Sequence, residues 1–341
     1  MITIKKIAEI TNVSRGTVDR VLNNRGGVNI ETEKKIRDAI KMLNYSPNEA
    51  GQNLAIRKKR LKFGFILFTH SSYNPFFESV EMGIRRKAAE LETFGISVDI
   101  QYTSFNAYEK QLELLNYFAS NQYSGVAITA LNTIEIINKI NELSDNDLPI
   151  VTVNTDIPNS KRLAYVGSNY YNCGNVAGNF MGLITQGSAK IGIIEGSHDI
   201  TCLTERSAGF FDYLSKHYPN MQIVSTARNN RYDEIENYSL TKKMLEEHPE
   251  INALYLSAAG VNGACKAISE VARPIKVIAY DCIPRNLQLL EQGLVTAIID
   301  QDPFYQGSKP LDILFEATTT GVSNIKEHYY TDAIIKIPTN L

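Results

Sequence analysis

Hydrophobic residues in the first 45 positions recur with helical spacing in three short runs. The inward positions of these runs are Ile4, Ile7 and Ala8, then Val18, Val21 and Leu22, then Ile36, Ala39, Ile40 and Leu43. Residues 11–13 form a short polar turn between the first two runs, and Thr3, Ser14 and Asn29 stand where N-caps are expected. Two short helices joined by a tight turn and backed by a third have helix-turn-helix geometry. The pattern therefore predicts an all-α unit at the N-terminus.

The pattern changes from Phe63 onwards to short apolar runs that alternate with amphipathic stretches. Residues 63–68 are continuously apolar, which is typical of a strand buried on both faces. Further strands are predicted over residues 96–102, 125–129, 150–153, 190–194, 253–256, 275–279 and 295–299, and helices over 75–92, 108–120, 134–143, 173–184, 204–216 and 261–271. Repeated βα units form parallel sheets with right-handed crossovers. Two such series predict an α/β body of two doubly wound parallel-sheet lobes with a cleft between them.

These patterns divide the chain into three parts. We expect a helix-turn-helix unit over residues 1–47, a short connecting segment over 48–60, and an α/β body over 61–341. Within the body we expect an N-lobe of about 61–156 and 302–321 and a C-lobe of about 157–301 and 322–341. Residues 335–341 carry no leucine heptads, so we expect a homodimer rather than a tetramer.

Charge separates the same parts of the chain. Residues 1–60 hold 13 basic and 6 acidic side chains, a net charge of +7, whereas the remainder carries −9 within a total of −2. A short basic module on an acidic body indicates a polyanion partner for the module alone. The chain begins without a signal-peptide-like apolar run and has no apolar stretch of membrane-spanning length, so we expect a cytoplasmic protein that does not contact membranes.

Enzyme chemistry is poorly supported by the sequence. The motifs G-x-G-x-x-G, G-x-x-x-x-G-K-[ST], G-x-S-x-G and H-E-x-x-H are absent from the positions where they would carry function, and the five histidines have no triad-like spacing. The four cysteines, Cys173, Cys202, Cys265 and Cys282, form no C-x-x-C pair and fit small buried side chains in a reducing compartment. We therefore expect no catalytic residues, no cofactor and no metal.

The N-terminal unit matches a known family in detail. The segments that carry the match are Thr3-Ile4-Lys5-Lys6-Ile7-Ala8, Val13-Ser14, Thr17-Val18-Asp19-Arg20-Val21-Leu22-Asn23 and Tyr45-Ser46-Pro47-Asn48. Their order and spacing closely resemble the headpiece of the lac repressor (LacI/GalR) family. The resemblance implies a second helix in the major groove of double-stranded DNA. Its implied DNA contacts are Thr3, Ser14, Arg15, Gly16, Thr17, Arg20, Asn23, Asn29, Tyr45, Asn48 and Leu54.

Two positions on the recognition helix depart from the family pattern. Arg15 can bind guanine O6 and N7 with two hydrogen bonds, whereas Gly16 beside it has no side chain with which to contact a base. Asp19 stands where the family usually has serine, and we expect its carboxylate to face Arg15 or Arg20 or to accept from a cytosine amino group. The implied docking therefore follows the family, while the preferred bases differ.

The segment after Pro47 can form one short amphipathic helix, too short to be stable alone. In the family that it resembles, paired hinge helices fold on the operator and insert a leucine into the minor groove. Leu54 takes that position here, with ordinary core packing as the alternative. Gly51 and Asn53 depart from the family and weaken the helix, and the basic run 57–60 tracks phosphate or is a solvated linker.

Polar and aromatic residues follow the predicted strand ends, where open α/β sheets bind ligands. This arrangement resembles the type I periplasmic sugar-binding proteins, in the ribose-binding branch that the LacI family shares. The resemblance implies hydrogen bonds and ring stacking to a sugar from Asn74, Phe76, Phe77, Asn154, Asp156, Arg206, Tyr232, Ser257, Asp281 and Gln301. Asn154-Thr155 and Ser257-Ala258 replace pairs that are common in the family, which leaves the ligand open.

We therefore expect a sequence-specific DNA-binding transcriptional regulator, a repressor, that binds a pseudo-palindromic operator as a homodimer. A small-molecule effector, expected to be a carbohydrate, would bind between the lobes and shift their arrangement. A nucleobase, a polyol or a sugar phosphate remains open as the effector. A solute-binding protein explains the body and not the headpiece, and a Rossmann-type enzyme lacks its phosphate-binding glycines.

Overall fold

The computed structural model describes residues 3–22, 26–43, 45, 49–69, 75–105, 107–196, 201–229, 233–271 and 273–341, with the backbone alone at residues 49–52. Three helices form the headpiece: α1 Ile4–Thr11, α2 Arg15–Leu22 and α3 Ile30–Met42. Their inward side chains, Ile7, Val18, Val21 and Ile36 among them, form a small buried core. The predicted helix-turn-helix is therefore confirmed.

All three predicted N-caps of the headpiece are present. The hydroxyl of Thr3 accepts a hydrogen bond from the Lys6 amide, and that of Ser14 accepts from the Thr17 amide at 3.1 Å. The side-chain oxygen of Asn29 accepts from the Glu31 amide at 2.8 Å. Because the first amides of a helix lack partners within it, these three side chains fix where each helix begins.

A fourth helix, α4, spans Glu49–Lys59 and leads into the body. Its Ile56 packs against the hydrophobic core of the first lobe. Arg60 ends it with a positive φ of 51°, after which the chain enters the first strand. The predicted hinge segment is thus helical and rests on the body at its C-terminal end.

The first lobe is built on a parallel sheet of six strands in the order β11-β5-β4-β3-β1-β2. The strands are β1 Lys62–Phe68, β2 Ser97–Thr103, β3 Gly125–Ile128, β4 Ile150–Val153, β5 Ala164–Ser168 and β11 His328–Thr331. Helices α5 Phe76–Glu92 and α13 Pro303–Thr319 cover one face of the sheet, and α6 Tyr108–Ser120 and α7 Ile134–Asp145 cover the other. Both faces are buried, as the apolar strand patterns predict.

The second lobe repeats this architecture with the strand order β12-β10-β9-β8-β6-β7, in which β12 is antiparallel to β10. Its strands are β6 Lys190–Glu195, β7 Gln222–Arg228, β8 Ala253–Leu256, β9 Lys276–Tyr280, β10 Ala297–Asp300 and β12 Ile334–Lys336. Its helices are α8 Tyr170–Ile184, α9 Thr201–His217, α10 Glu234–Glu247, α11 Val261–Ser269 and α12 Pro284–Glu291. The two-lobed α/β prediction is therefore confirmed.

The lobe boundaries differ from the predicted ones at two segments. The sequence assigned residues 157–168 and 322–331 to the C-lobe, but β5 pairs with β4 and β11 pairs with β5 in the first sheet. The reason is that the chain returns to the first sheet after β4 without an intervening helix and crosses later. It passes between lobes three times, at residue 169, at 301–302 and at 332–333.

Candidate DNA-binding and effector-binding sites

The outer face of α2 carries the residues expected to read DNA. Arg15, Gly16 and Arg20 are exposed there, opposite the buried Val18 and Val21. The Ser14 and Thr17 hydroxyls lie 2.8 Å apart at the start of the helix, where both can also reach a phosphate. The side chains expected to contact bases therefore lie on the solvent-exposed face of α2 and take no part in the headpiece core. Docking of this helix in the major groove requires such an exposed face.

The remaining expected DNA contacts have mixed environments. Thr3 and Asn29 use side-chain oxygens as helix caps, which leaves the amide hydrogens of Asn29 as donors to phosphate. Tyr45 packs against the headpiece core, and burial raises the pKa of its phenol. Asn23 and Asn48 lie outside the described residues. These contacts stay predictions.

Leu54 lies on α4 with 57% of its surface exposed, which makes it one of the exposed large hydrophobic side chains. Ile56, two residues further on, packs against the first lobe instead. The alternative of core packing therefore applies to Ile56 rather than to Leu54. An exposed leucine on a basic helix is available to a partner surface.

The second lobe holds a buried arginine at the end of its sheet that faces the first lobe. Arg206 on α9 is 5% exposed, and its guanidinium lies over the rings of Tyr280, at 4.0 Å, and Tyr170, at 5.0 Å. One terminal nitrogen donates to the Ser257 carbonyl at 3.0 Å, and the other donates to Oε1 of Gln301. Among the residues that the structure describes, Nε has no hydrogen-bond partner although it is buried. An unpaired buried donor costs about 1–3 kcal/mol, which makes Nε a candidate donor to a further acceptor.

The carboxylate of Asp281 completes this group of residues. Nε2 of Gln301 donates to its Oδ1, and the backbone of Asp281 adopts a left-handed φ of 71° directly after β9. Burial raises the pKa of Asp281, while Arg206 and the hydrogen bond from Gln301 act in the opposite direction. A guanidinium and a carboxylate that are bridged by one amide side chain can provide donors and acceptors for a ligand that carries hydroxyl groups.

A chain of buried amides connects this site to the first lobe. Nδ2 of Asn154, after β4, donates to Oε1 of Gln306 at 3.0 Å, and Nε2 of Gln306 donates to the Gln301 carbonyl at 2.9 Å. The Tyr170 hydroxyl donates to the Asn154 carbonyl at 2.6 Å while its ring lies against Arg206. The two lobes are therefore bonded to each other through residues that also contact Arg206.

Asp156 is committed to an ion pair within the first lobe. Nε of the buried Arg162 lies 2.5 Å from its Oδ1, and another nitrogen of that guanidinium lies 2.7 Å from Oδ2. The Thr152 hydroxyl also donates to Oδ1, at 2.9 Å. The sequence did not single out Arg162, and a ligand contact from Asp156 stays a prediction.

The predicted stacking residues Phe76 and Phe77 lie at the start of α5 and are 5% and 4% exposed. Phe77 meets Phe68 edge to face at 5.7 Å, and Phe68 stacks on the exposed ring of Phe105 at 4.4 Å. Ser257 is buried and meets Arg206 through its carbonyl rather than its hydroxyl. Asn74 and Tyr232 lie outside the described residues.

The described part of the chain contains no cluster of metal-ligating side chains and no helix suited to crossing a membrane. A family model described as the periplasmic binding protein domain matches residues 64–321, the greater part of the chain. A second, described as bacterial regulatory proteins of the lacI family, matches residues 3–48. The chain belongs to the lacI family of bacterial regulatory proteins. This membership confirms the resemblance of both parts and makes the chain a DNA-binding transcriptional regulator.

Curated relatives agree with the lacI-family assignment, and a solved structure is similar to the body. The ribose operon repressor of Bacillus subtilis is 28% identical over 84% of this chain and 83% of its own length. The probable transcriptional repressor ExuR of the same organism is 26% identical over 83% of this chain and 82% of its own length. The structure of GanP, a glucose-galactose binding protein from Geobacillus stearothermophilus, superposes with a TM-score of 0.73 at 26% identity and covers 82% of this chain and 99% of that one.

Sequence reasoning missed two residues that hold this lacI-family site together, Gln306 and Tyr170. Gln306 falls on the apolar face of α13 with Pro310 and Ile313, so a fully buried amide in an apolar stripe was the available signal. Tyr170 opens α8 directly after the first crossover, and its sequence position alone does not indicate its hydrogen bond to Asn154.

Proposed function

We propose that this lacI-family protein is a homodimeric transcriptional repressor in the cytoplasm whose operator binding is controlled by a sugar held between its two lobes. The observation that supports the sugar effector is the buried Arg206, whose Nε has no partner among the described residues and whose guanidinium is joined through Gln301 to the carboxylate of Asp281. Sugar hydroxyls both donate and accept hydrogen bonds, so one ring can satisfy both groups. Because all its described relatives named above are regulators or binding proteins, we infer no catalytic activity.

The aromatic surroundings of Arg206 support a sugar over a more polar ion. Tyr280 and Tyr170 fix the guanidinium plane, and the Tyr280 hydroxyl is itself bonded to that of Tyr255 at 2.8 Å. A guanidinium held against two rings and bonded at both terminal nitrogens has a fixed orientation, which favours a ligand of defined shape. The names of the ribose operon repressor and the glucose-galactose binding protein point to the same ligand class.

The crossovers between the lobes provide the moving part. The Ser168 hydroxyl, beside the first crossover, lies 2.8 Å from that of Thr331, beside the third, and 3.5 Å from Oε1 of Gln301 in the second. A sugar that bonds to Nε of Arg206 and to Asp281 competes with Gln301 for Oδ1 of that carboxylate. We infer that it shifts the population between two lobe arrangements, because it binds one of them better.

The proposed mode of DNA binding follows from the two-fold symmetry of a homodimer. Two bodies related by a two-fold axis present two α2 helices to half-sites of a pseudo-palindrome, one helical turn or a multiple apart. Each exposed Arg15 then meets a base edge, and each exposed Leu54 meets the minor groove at the centre. The basic headpiece supplies the attraction to phosphate that is independent of base sequence.

A thermal-shift screen of the full chain tests the effector half. The panel comprises D-ribose, D-allose, D-glucose, D-galactose, myo-inositol, ribose 5-phosphate and adenine. We expect at least one sugar to raise the melting temperature by mass action, and we expect Arg206→Lys to lose that rise while Lys161→Gln, on an exposed surface pair, keeps it. A rise with adenine or the phosphate alone would replace the sugar, and no rise with any compound would contradict an effector of this size.

A further inference from the structure

Two helices of the first lobe run side by side from the effector site to the opposite edge of the sheet. Helix α5 follows the C-terminal end of β1, and α13 follows the second crossover, so both begin at the edge that faces the second lobe. Each has 17 residues and is therefore about 25 Å long. Both helices end at the opposite edge of the sheet. This is the edge at which α4 ends and β1 begins.

Glycines hold the backbones of α5 and α13 in direct contact. A Cβ atom on Gly83 would lie 2.1 Å from the Phe304 carbonyl oxygen, and one on Gly307 would lie 1.9 Å from that of Val80. Further along, Lys87 bonds Asp312 at 2.7 Å. Two helices in backbone contact have little freedom to slide past each other, because packed interfaces move between discrete arrangements rather than deform continuously.

The first ends of these helices are part of the effector network. Asp302 caps α13 directly after Gln301, and Gln306 in its first turn is bonded to Asn154 and to the Gln301 carbonyl. A shift of Gln301 on effector binding is therefore passed to the start of α13.

The other ends hold α4. Nη2 of Arg57 donates to the Thr93 carbonyl, at the C-cap of α5, at 2.8 Å. Nζ of Lys59 donates to the Thr318 carbonyl, in the last turn of α13, at 2.9 Å. Carbonyls at helix C-termini lack partners within the helix and attract cations, so both bonds are of a favourable kind.

We propose that the α5–α13 pair, clamped at Gly83 and Gly307, transmits effector binding from Gln301 to α4 and so sets the position of the hinge helix on DNA. This inference rests on the proposed function, because it requires that an effector alters DNA binding. The coupling enters α13 from Gln301 and leaves it through the bond from Lys59 to Thr318, while the glycine clamp makes α5, which holds Arg57, move together with α13. Weakening the clamp or the Lys59 bond reduces coupling without touching the effector site.

The test measures coupling in the full chain as the ratio of two affinities for one DNA duplex, one with sugar and one without, in which the higher affinity is divided by the lower. The duplex is one selected by the wild-type chain from a random pool, and the sugar is the panel compound that stabilises the wild type most. Gly307→Ala inserts a methyl group into the clamp, and Gly263→Ala inserts one into an equally close contact, 1.9 Å from the Glu234 carbonyl, between helices of the second lobe. Lys59→Met removes the bond to Thr318, and Lys58→Met removes the same charge one residue away.

We expect Gly307→Ala and Lys59→Met to lower the ratio at least about fivefold, with sugar affinity within about twofold of the wild type. We expect Gly263→Ala and Lys58→Met to keep the wild-type ratio. If Gly307→Ala does not fold, the lysine pair decides. A wild-type ratio in Lys59→Met, or an equal loss in its Lys58→Met control, overturns the inference alone, whereas a wild-type chain with no ratio above one overturns the proposed function as well.

Discussion

Nδ2 of Asn154 donates a 3.0 Å hydrogen bond to Oε1 of Gln306 and so joins the end of β4 to a helix that the chain enters from the second lobe. Both side chains are buried, and Gln306 is fully inaccessible to solvent. The bond is therefore unscreened by water, and either partner is left with an unpaired polar group if the other is removed.

Replacing Gln306 by leucine tests this relationship. Leucine is similar in volume and leaves the Asn154 amide and the Gln301 carbonyl without partners, so we expect the free energy of unfolding to fall by about 1–3 kcal/mol. Urea denaturation followed by circular dichroism measures the change. Gln292→Leu, at an exposed position, is the control and should change little. Equal stability of both variants would mean that the buried chain contributes nothing.

The sequence predicted most of the fold because the two periodicities are strong where burial is complete. Strand β1 is buried along nearly its whole length, and it was predicted from its apolar run. Three edge strands were missed: β7 has partly buried and exposed positions without an apolar run, β11 has polar and partly exposed positions, and β12 has three residues. The edge strand β2 was predicted from residues 96–102, whereas the buried strand β5, Ala164–Ser168, was missed because a glycine and a serine interrupt its apolar run. Helix α13 was missed because Pro310 interrupts its pattern, although Asp302 and Pro303 mark its start.

The candidate site was predictable in part for a different reason. Asp281 and Gln301 directly follow strand ends and Arg206 lies in the second turn of α9, so topology places them together. Asp156 follows β4 in the same way, but its carboxylate pairs with Arg162, a long-range choice that local sequence does not reveal. Gln306 and Tyr170 act through contacts across the crossovers, which depend on how the lobes meet.

The raised pKa of Asp281 gives a prediction about pH. Burial raises its folded pKa above the unfolded value, so the folded state holds this proton more tightly and loses stability as the pH rises through the folded pKa. Asparagine has the same shape and can still accept from Gln301. We expect the difference in unfolding free energy, Asp281→Asn minus wild type, to become more positive between about pH 4 and 7. A difference that stays constant or falls over this range in urea titrations would contradict the assignment.

Arg15 is predicted to read a base rather than a phosphate. We expect Arg15→Ala to weaken binding to the selected duplex by about 1–3 kcal/mol and to relax the preference at one base pair. Affinities for a set of singly substituted duplexes measure this. Lys34→Ala, on the exposed face of α3, should lose affinity evenly or not at all. If Arg15→Ala lowered the affinity for all duplexes by the same factor, Arg15 would contact phosphate rather than a base.

Leu54 is predicted to act as the minor-groove wedge. Because it is 57% exposed, Leu54→Ala should leave the melting temperature of the free protein nearly unchanged. We expect its affinity for the selected duplex to fall by more than about twofold, since the wedge is lost where the DNA is bent. Leu183→Ala, exposed on the second lobe, is the matched control and should alter neither quantity. A change of less than twofold in Leu54→Ala would mean that the side chain does not enter the groove.

The central claim is that a sugar at Arg206 controls DNA binding. The measurement that tests it most directly is the affinity of the full chain for its selected duplex, titrated by fluorescence anisotropy without and with a saturating amount of the stabilising sugar. We predict a change of about tenfold or more in the wild type and no change in Arg206→Lys, whose lysine lacks the Nε donor and the planar fork. Equal wild-type affinities in the presence and absence of every sugar that binds would contradict the account.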